Sequence, residues 1–220
     1  MSIRRLTLLA AAAVALSAGT ASAQLTCTAP QRLVKWPTTG TPVWQMCMLT
    51  PANSSGTNGS ALEIRNVSYN GHLVFKRAHA PILNVKYVPG SNCDCFRDWA
   101  DEEAKFEVRD AGGAVINISG VGQYAEVSQP PRTVCDAGVT SSDVPSTTGF
   151  RGVAAEMLSD RMILTTQTRA GWYRYQMKWI FHQDGRIEPR FGFGATNTSS
   201  CLQNTHRHHN YWRFDFDIDG

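Results

Sequence analysis

The sequence alternates between apolar and polar residues with a period of two along much of its length. From Gly171 to Phe193, Tyr173, Tyr175, Met177, Trp179 and Phe181 alternate with Arg174, Gln176, Lys178 and His182, and only Ile180 breaks the polar set. Asp184-Gly185 supplies a tight turn, and Ile187, Phe191 and Phe193 share one face of the returning strand. Upstream, "LEIRNVSY" and "HLVFKRAH" flank Asn70-Gly71, which predicts a second hairpin. The final stretch obeys the same parity. His206, His208, Trp212, Phe214, Phe216 and Ile218 fall on one side, and Arg207, His209, Tyr211, Arg213, Asp215, Asp217 and Asp219 fall on the other. A helix is predicted only at "WADEEAKF", Trp99 to Phe106, where helix formers follow an acidic first turn. Loops are predicted at Pro51 to Ser60 and at Val139 to Gly149. No internal repeat or domain boundary interrupts the pattern. The expected architecture is mainly β, an antiparallel β-sandwich formed as one domain over residues 24–220.

The first 23 residues lie outside that domain. Arg4 and Arg5, an alanine-rich apolar run and the small-residue motif Ala21-Ser22-Ala23 read as a secretory signal peptide. The apolar run is too short to span a bilayer, and no later segment is longer, so the expectation is a secreted, periplasmic or extracellular protein without a membrane span. The chain has 21 basic and 18 acidic residues, and two of the basic ones leave with the signal peptide. The remainder is nearly neutral and lacks the clustered basic footprint of a nucleic-acid binder.

All six cysteines, at 27, 47, 93, 95, 135 and 201, follow the signal peptide. An even number in an exported chain favours disulfides. Cys93-Asp94-Cys95 has one intervening residue, so it is neither the Cys-x-x-Cys redox pattern nor a usual zinc knuckle.

Candidate chemistry centres on "NTHRHH". By parity His206 and His208 face the apolar side, roughly 6–7 Å apart along a strand, and His209 points away. Two neighbouring imidazoles on that side leave ring nitrogens in need of partners. A shared metal ion would satisfy both, since a strand His-x-His offers two cis ligands. Bonds to backbone or water would also satisfy them, and both readings stand at this point.

The order of a tyrosine strand, "WIFHQDGRI" and "HRHHNYWRFDFDIDG" resembles the catalytic domain of copper amine oxidases. In that family a tyrosine precedes a W-x-F-x-Q-D-G-x-I hairpin, and His-x-His with an R-x-D-x-x-x-D-G ending follows. Tyr173 keeps the offset to Trp179. His206 and His208 keep theirs to Arg213, Asp215, Asp219 and Gly220. "SNCDC" is similar to the family's G-C-D-C. The resemblance covers residues 61–220 and is strongest from Gly171 onward.

This resemblance implies a copper ion held by His206 and His208 as two of three ligands, with Tyr173 as the precursor of topaquinone. It also implies a disulfide between Cys95 and Cys135, and a homodimer. The implied substrates are a primary amine and dioxygen, giving aldehyde, ammonia and hydrogen peroxide. The sequence departs from the family at Trp172 and Arg174, where the family has asparagine and an acidic residue. The segment that carries the family's catalytic aspartate is missing between "LNVKYVPG" and "SNCDC". Neither Asp94 nor Asp98 aligns with that aspartate, so no base is assigned. His72, His79 and His182 do not match the third ligand, which the resemblance places beyond Gly220, so the expectation is a domain incomplete at its C-terminus. The alternative expectation is a secreted β-sandwich that binds copper or a partner without oxidising amines.

Overall fold

The computed structural model describes residues 25–56, 59–91, 93, 95–98, 102–106, 151–195 and 200–218, and the backbone strands at 108–109, 115–116, 123–127 and 132–133. In chain order the strands are β1 (Arg32–Trp36), β2 (Trp44–Leu49), β3 (Glu63–Tyr69), β4 (His72–Tyr87), β5 (Cys95–Asp98), β6 (Val108–Arg109) and β7 (Val115–Ile116). They continue as β8 (Gln123–Val127), β9 (Arg132–Thr133), β10 (Gly152–Met157), β11 (Arg161–Ala170), β12 (Tyr173–His182), β13 (Ile187–Ala195) and β14 (His206–Phe216). Among the described residues one sheet runs β1-β2-β3-β4-β14, with β5 also on β4, and a second runs β13-β12-β11-β10-β8. A small third sheet has the order β7-β6-β9. Pairing is antiparallel except between β8 and β10, so the expected mainly antiparallel β-sandwich is observed.

Both hairpins form where turn chemistry placed them. Asn70 and Gly71 have φ of 49° and 86°, the two left-handed positions that a two-residue β3–β4 turn requires. Gly185, at φ 92°, lies under the Tyr69 ring, and a Cβ there would come within 3.2 Å of Tyr69 Cζ. The Tyr69 hydroxyl donates to the Gln183 carbonyl at 3.0 Å, so this turn of one sheet is fastened to the other.

The core is the apolar parity set of both sheets. Val34, Trp44, Ile64 and Phe75 of the first meet Leu164, Trp179 and Phe181 of the second, all essentially without solvent contact. Two indoles of the first sheet also reach across it. Trp44 Nε1 donates to the His182 carbonyl at 2.7 Å and Trp36 Nε1 to that of Leu158 at 2.8 Å, so neither buried N–H is left unpaired. Disulfides join Cys27 to Cys47 and Cys93 to Cys201. The second fastens the segment before β5 to the 3₁₀ turn that leads into β14.

One expectation needs correction, and two strand faces depart from simple alternation. Residues 102–106 of the expected Trp99–Phe106 helix are extended. Glu103 bridges Thr168, the Ala104 N–H donates to the Gln167 carbonyl and Arg169 N–H to that of Glu102. Sheet pairing outweighs a short run of helix propensity here. The polar face of β12 is not solvent-facing at its start, because Arg174 and Gln176 are buried. Finally, Phe216 and Ile218 are 63% and 73% exposed. Register shifts between Tyr211 and Arg213 and between Asp215 and Phe216 interrupt the strict alternation, whereas Trp212 and Phe214 still pack on the core. The expected signal peptide and the Val139–Gly149 loop lie outside the described residues. Among the described residues no helix is long and apolar enough to cross a membrane.

Candidate functional site

Tyr173 and Tyr175 extend from the start of β12 toward the interior, beside Leu83 of β4. Across from them, β14 aligns His206 with Tyr87 and His208 with Val85. The two sheets thus bring Tyr173, Tyr175, Tyr87, His206 and His208 together, with Asp98 of β5 at the margin. The imidazole centroids are 5.1 Å apart. The His208 ring packs 3.8 Å from that of Phe193 and 4.6 Å, edge to face, from that of Tyr173.

Hydrogen bonds fix the polarity of this cluster. His206 Nδ1 lies 2.6 Å from the Asn204 carbonyl, which can only accept, so Nδ1 carries the proton and Nε2 presents a lone pair. That lone pair receives the Tyr173 hydroxyl at 2.9 Å, and the Tyr173 oxygen in turn accepts from Tyr87 at 3.0 Å. On the other branch Tyr175 donates to Asp98 in a short hydrogen bond. Its oxygen is then the acceptor for His208 Nδ1 at 3.1 Å. His208 Nε2 is therefore the unprotonated nitrogen, buried and without a hydrogen-bond partner. Both tautomers follow from the network, and both histidines present Nε2.

Burial shapes the titration of these groups. It lowers the His208 pKa to about 4, helped by His206 and His209, so this imidazole is neutral at physiological pH. Burial, followed by the Asp98 interaction, holds the Tyr175 phenol well above its usual range. Tyr87 is raised by burial and then by Tyr173. The Asp98 carboxyl is also raised, because burial outweighs the stabilising bond from Tyr175.

Two unprotonated imidazole nitrogens, one accepting from Tyr173 and one without a partner, lie beside a phenol oxygen and fit the nitrogen and oxygen preference of a cupric ion. The orphaned His208 Nε2 is the atom such an ion would satisfy. Among the described residues no group of three His, Cys, Asp or Glu side chains gathers to hold a metal. The remaining histidines lie elsewhere. His72 opens β4 and is exposed, His79 is buried in β4 opposite Arg213, and His182 bonds Glu188 at 2.8 Å. A cavity of about 390 Å³ at the end of the sheet is lined by Tyr87, Val88, Thr205 and His206 among others.

Tyr173, His206 and His208 each face the interior, as parity implied, and the two sheets bring them together. Tyr175 shares the parity of Tyr173 and was legible as a neighbour, whereas Tyr87, Asp98 and Asn204 carry no sequence signal that joins them to the histidines. Cys95 is exposed and unpaired among the described residues, and Cys135, its expected partner, lies outside them.

The fold and the cluster define an antiparallel β-sandwich with two histidines and a buried tyrosine between its sheets. The chain is similar to the crystal structure of a copper-containing benzylamine oxidase from Hansenula polymorpha, at a TM-score of 0.43 and 14% identity. The alignment covers 81% of this chain and 32% of that one, so this chain spans about a third of its length. No protein-family model and no curated protein matches the sequence.

Proposed function

We infer that this chain carries the copper-ligand and quinone-precursor positions of an exported copper-dependent primary-amine oxidase, with Tyr173 as the residue converted to topaquinone. The observation that carries the reading is the 2.9 Å contact between the Tyr173 hydroxyl and His206 Nε2, with the orphaned Nε2 of His208 alongside. The ordered motifs around Tyr173, Trp179, His206 and His208 support it, and two disulfides fit a chain that folds outside a reducing cytoplasm.

In this reading His206 and His208 would hold copper through Nε2, and copper with the quinone would supply the redox and carbonyl chemistry for turning primary amines, dioxygen and water into aldehydes, ammonia and hydrogen peroxide. The chain's own groups do the positioning. The Asn204 carbonyl and the Tyr175 oxygen each hold one imidazole Nδ1–H, which fixes the tautomers and leaves both Nε2 atoms unprotonated. Tyr87 holds the Tyr173 oxygen, and the buried surroundings keep water away from the phenol.

A second reading has its own observation. The Trp172 ring lies 5.8 Å from that of Tyr173, where the family has a small amide, and Arg174 is buried just beyond it. This crowding favours a protein that binds copper and leaves Tyr173 unmodified.

Peptide mass spectrometry on the secreted, copper-loaded protein in air separates the two. The oxidase reading expects the Tyr173 peptide to gain two oxygens and lose two hydrogens, with quinone colour, and Tyr173→Phe to abolish both. An unmodified Tyr173 in protein with copper bound would overturn it and leave the second reading.

A further inference from the structure

The opposite face of the same sheet carries a feature that the oxidase reading does not use. Residues facing one another across β5, β4 and β14 share a side of the sheet. Cys95, Lys86 and Arg207 form one row, Arg97, Asn84 and His209 the next, and Ile82 with Tyr211 the third. Rows repeat about 6.6 Å apart along the strands and neighbouring strands lie about 4.8 Å apart. A groove of about 480 Å³, lined by Lys86, Arg97, Asn84, His209 and Tyr211 among others, runs over part of these rows, and Arg207 lines the cavity beside it. It adjoins the cavity at the sheet end, since Lys86 and His209 line both.

The groove has a definite chemistry. Lys86, Arg97 and Arg207 are exposed and form no ion pair among the described residues, and no carboxylate lines either cavity among them. Arg97 Nε donates to the Asn84 side chain at 3.1 Å, which lays the guanidinium over the groove floor. The Tyr211 ring, 51% exposed, flanks these cations on the same face. An exposed phenol ring of this kind offers an apolar face with a polar tip to a ligand lying along the groove.

We propose that this groove binds an acidic polysaccharide, its carboxylate or sulfate groups on Lys86, Arg207 and Arg97 and a sugar ring against Tyr211. Lys86 and Arg207 face each other about 5 Å apart and Arg97 lies diagonally about 8 Å from Lys86, spacings that charges repeated along an extended polymer can span. The Asn84 and His209 side chains add donors and acceptors for hydroxyl groups. A nucleic acid fits less well, because three cations on a nearly neutral chain make no broad positive field. The inference does not depend on copper or on the oxidase reading.

The test is isothermal titration of the full secreted chain, without copper, using polygalacturonate and dextran sulfate at low salt. Neutral dextran and a single-stranded oligothymidylate of matched charge are the comparisons. Both acidic polysaccharides are expected to bind and neutral dextran not to. Lys86→Gln combined with Arg207→Gln is expected to weaken binding roughly tenfold or more. Arg97→Gln, on the other flank, is expected to act in the same direction, with thermal melting confirming that each variant is folded. Tyr211→Ala is expected to weaken the polysaccharides while leaving any weak binding of inorganic sulfate unchanged. No binding by the parent chain, unaltered affinity in folded charge variants or in Tyr211→Ala, or equal affinity for oligothymidylate would overturn the proposal.

Discussion

Replacing Cys93 and Cys201 by serine removes the disulfide that closes the longer loop, and its cost can be worked from the chain. The sequence separation is 108 for Cys93–Cys201 and 20 for Cys27–Cys47. In the chain-entropy relation a cross-link acts mainly by restricting the unfolded chain, which amounts to about 4.8 kcal/mol at 25 °C for the longer loop and about 3.3 kcal/mol for the shorter. The predicted order is therefore Cys93–Cys201 first, by about 1.5 kcal/mol. The longer loop also matters locally. Asn204, whose carbonyl holds His206 Nδ1, donates through its side chain to Cys93 Sγ at 3.6 Å. The assay is urea unfolding of the parent and the two double-serine variants by tryptophan fluorescence, with a copper titration of each. Cys93→Ser/Cys201→Ser should lose more stability and bind copper more weakly, while Cys27→Ser/Cys47→Ser should keep its copper affinity. If the Cys27/Cys47 variant lost as much stability or more at an unchanged denaturant slope, the loop-closure reasoning would be wrong.

Phe75 has no solvent contact and meets the rings of Phe214 and Phe216 edge-on, so Phe75→Ala should cost about 3–5 kcal/mol in urea unfolding. Acid should destabilise the protein through Glu63. Burial alone would raise this carboxyl, but the Ser55 hydroxyl and N–H and the Arg65 guanidinium outweigh burial and hold it below its ordinary 4.5. The resulting stability is fully present above the ordinary carboxylate range and is lost as pH falls through the lowered native value, from about pH 5 downward. Glu63→Gln should flatten that limb of a stability–pH curve, and an identical limb in the variant would place the acid sensitivity elsewhere. Tyr175→Phe removes the donor to Asp98 and the acceptor for His208. It should cost about 1–3 kcal/mol in stability and weaken copper binding roughly 10–100-fold. Unaltered copper affinity in this variant would show that Tyr175 does not orient the imidazole.

The strands and turns were legible because burial on one face writes a period of two, and because Asn70-Gly71 and Asp184-Gly185 have few alternatives to a turn. Tyr173, His206 and His208 were legible for the same reason. The residues that complete the cluster were not. Tyr87 and Asp98 lie on β4 and β5, and only sheet register places them next to residues near positions 173 and 206. Asn204 acts through its carbonyl, which every residue has. Local pattern also misled where long-range pairing outweighed it, as in the extended segment Glu102–Phe106. At Phe216, register shifts in β14 changed what parity alone implied.

The alternation along β14 has a consequence for how this protein can change over time. Four consecutive residues, His206 to His209, serve two unrelated surfaces, and only the strand's pleat decides which side chain serves which. Inserting or deleting one residue between Asn204 and His206, if the downstream register with β4 slipped to match, would exchange the two sets at a stroke. Arg207 and His209 would then face the buried tyrosines, and His206 and His208 would face solvent. Single substitutions can tune either face separately, but a frame-preserving change of one residue in length would alter both together, so this short segment should tolerate replacement far better than it tolerates insertion or deletion.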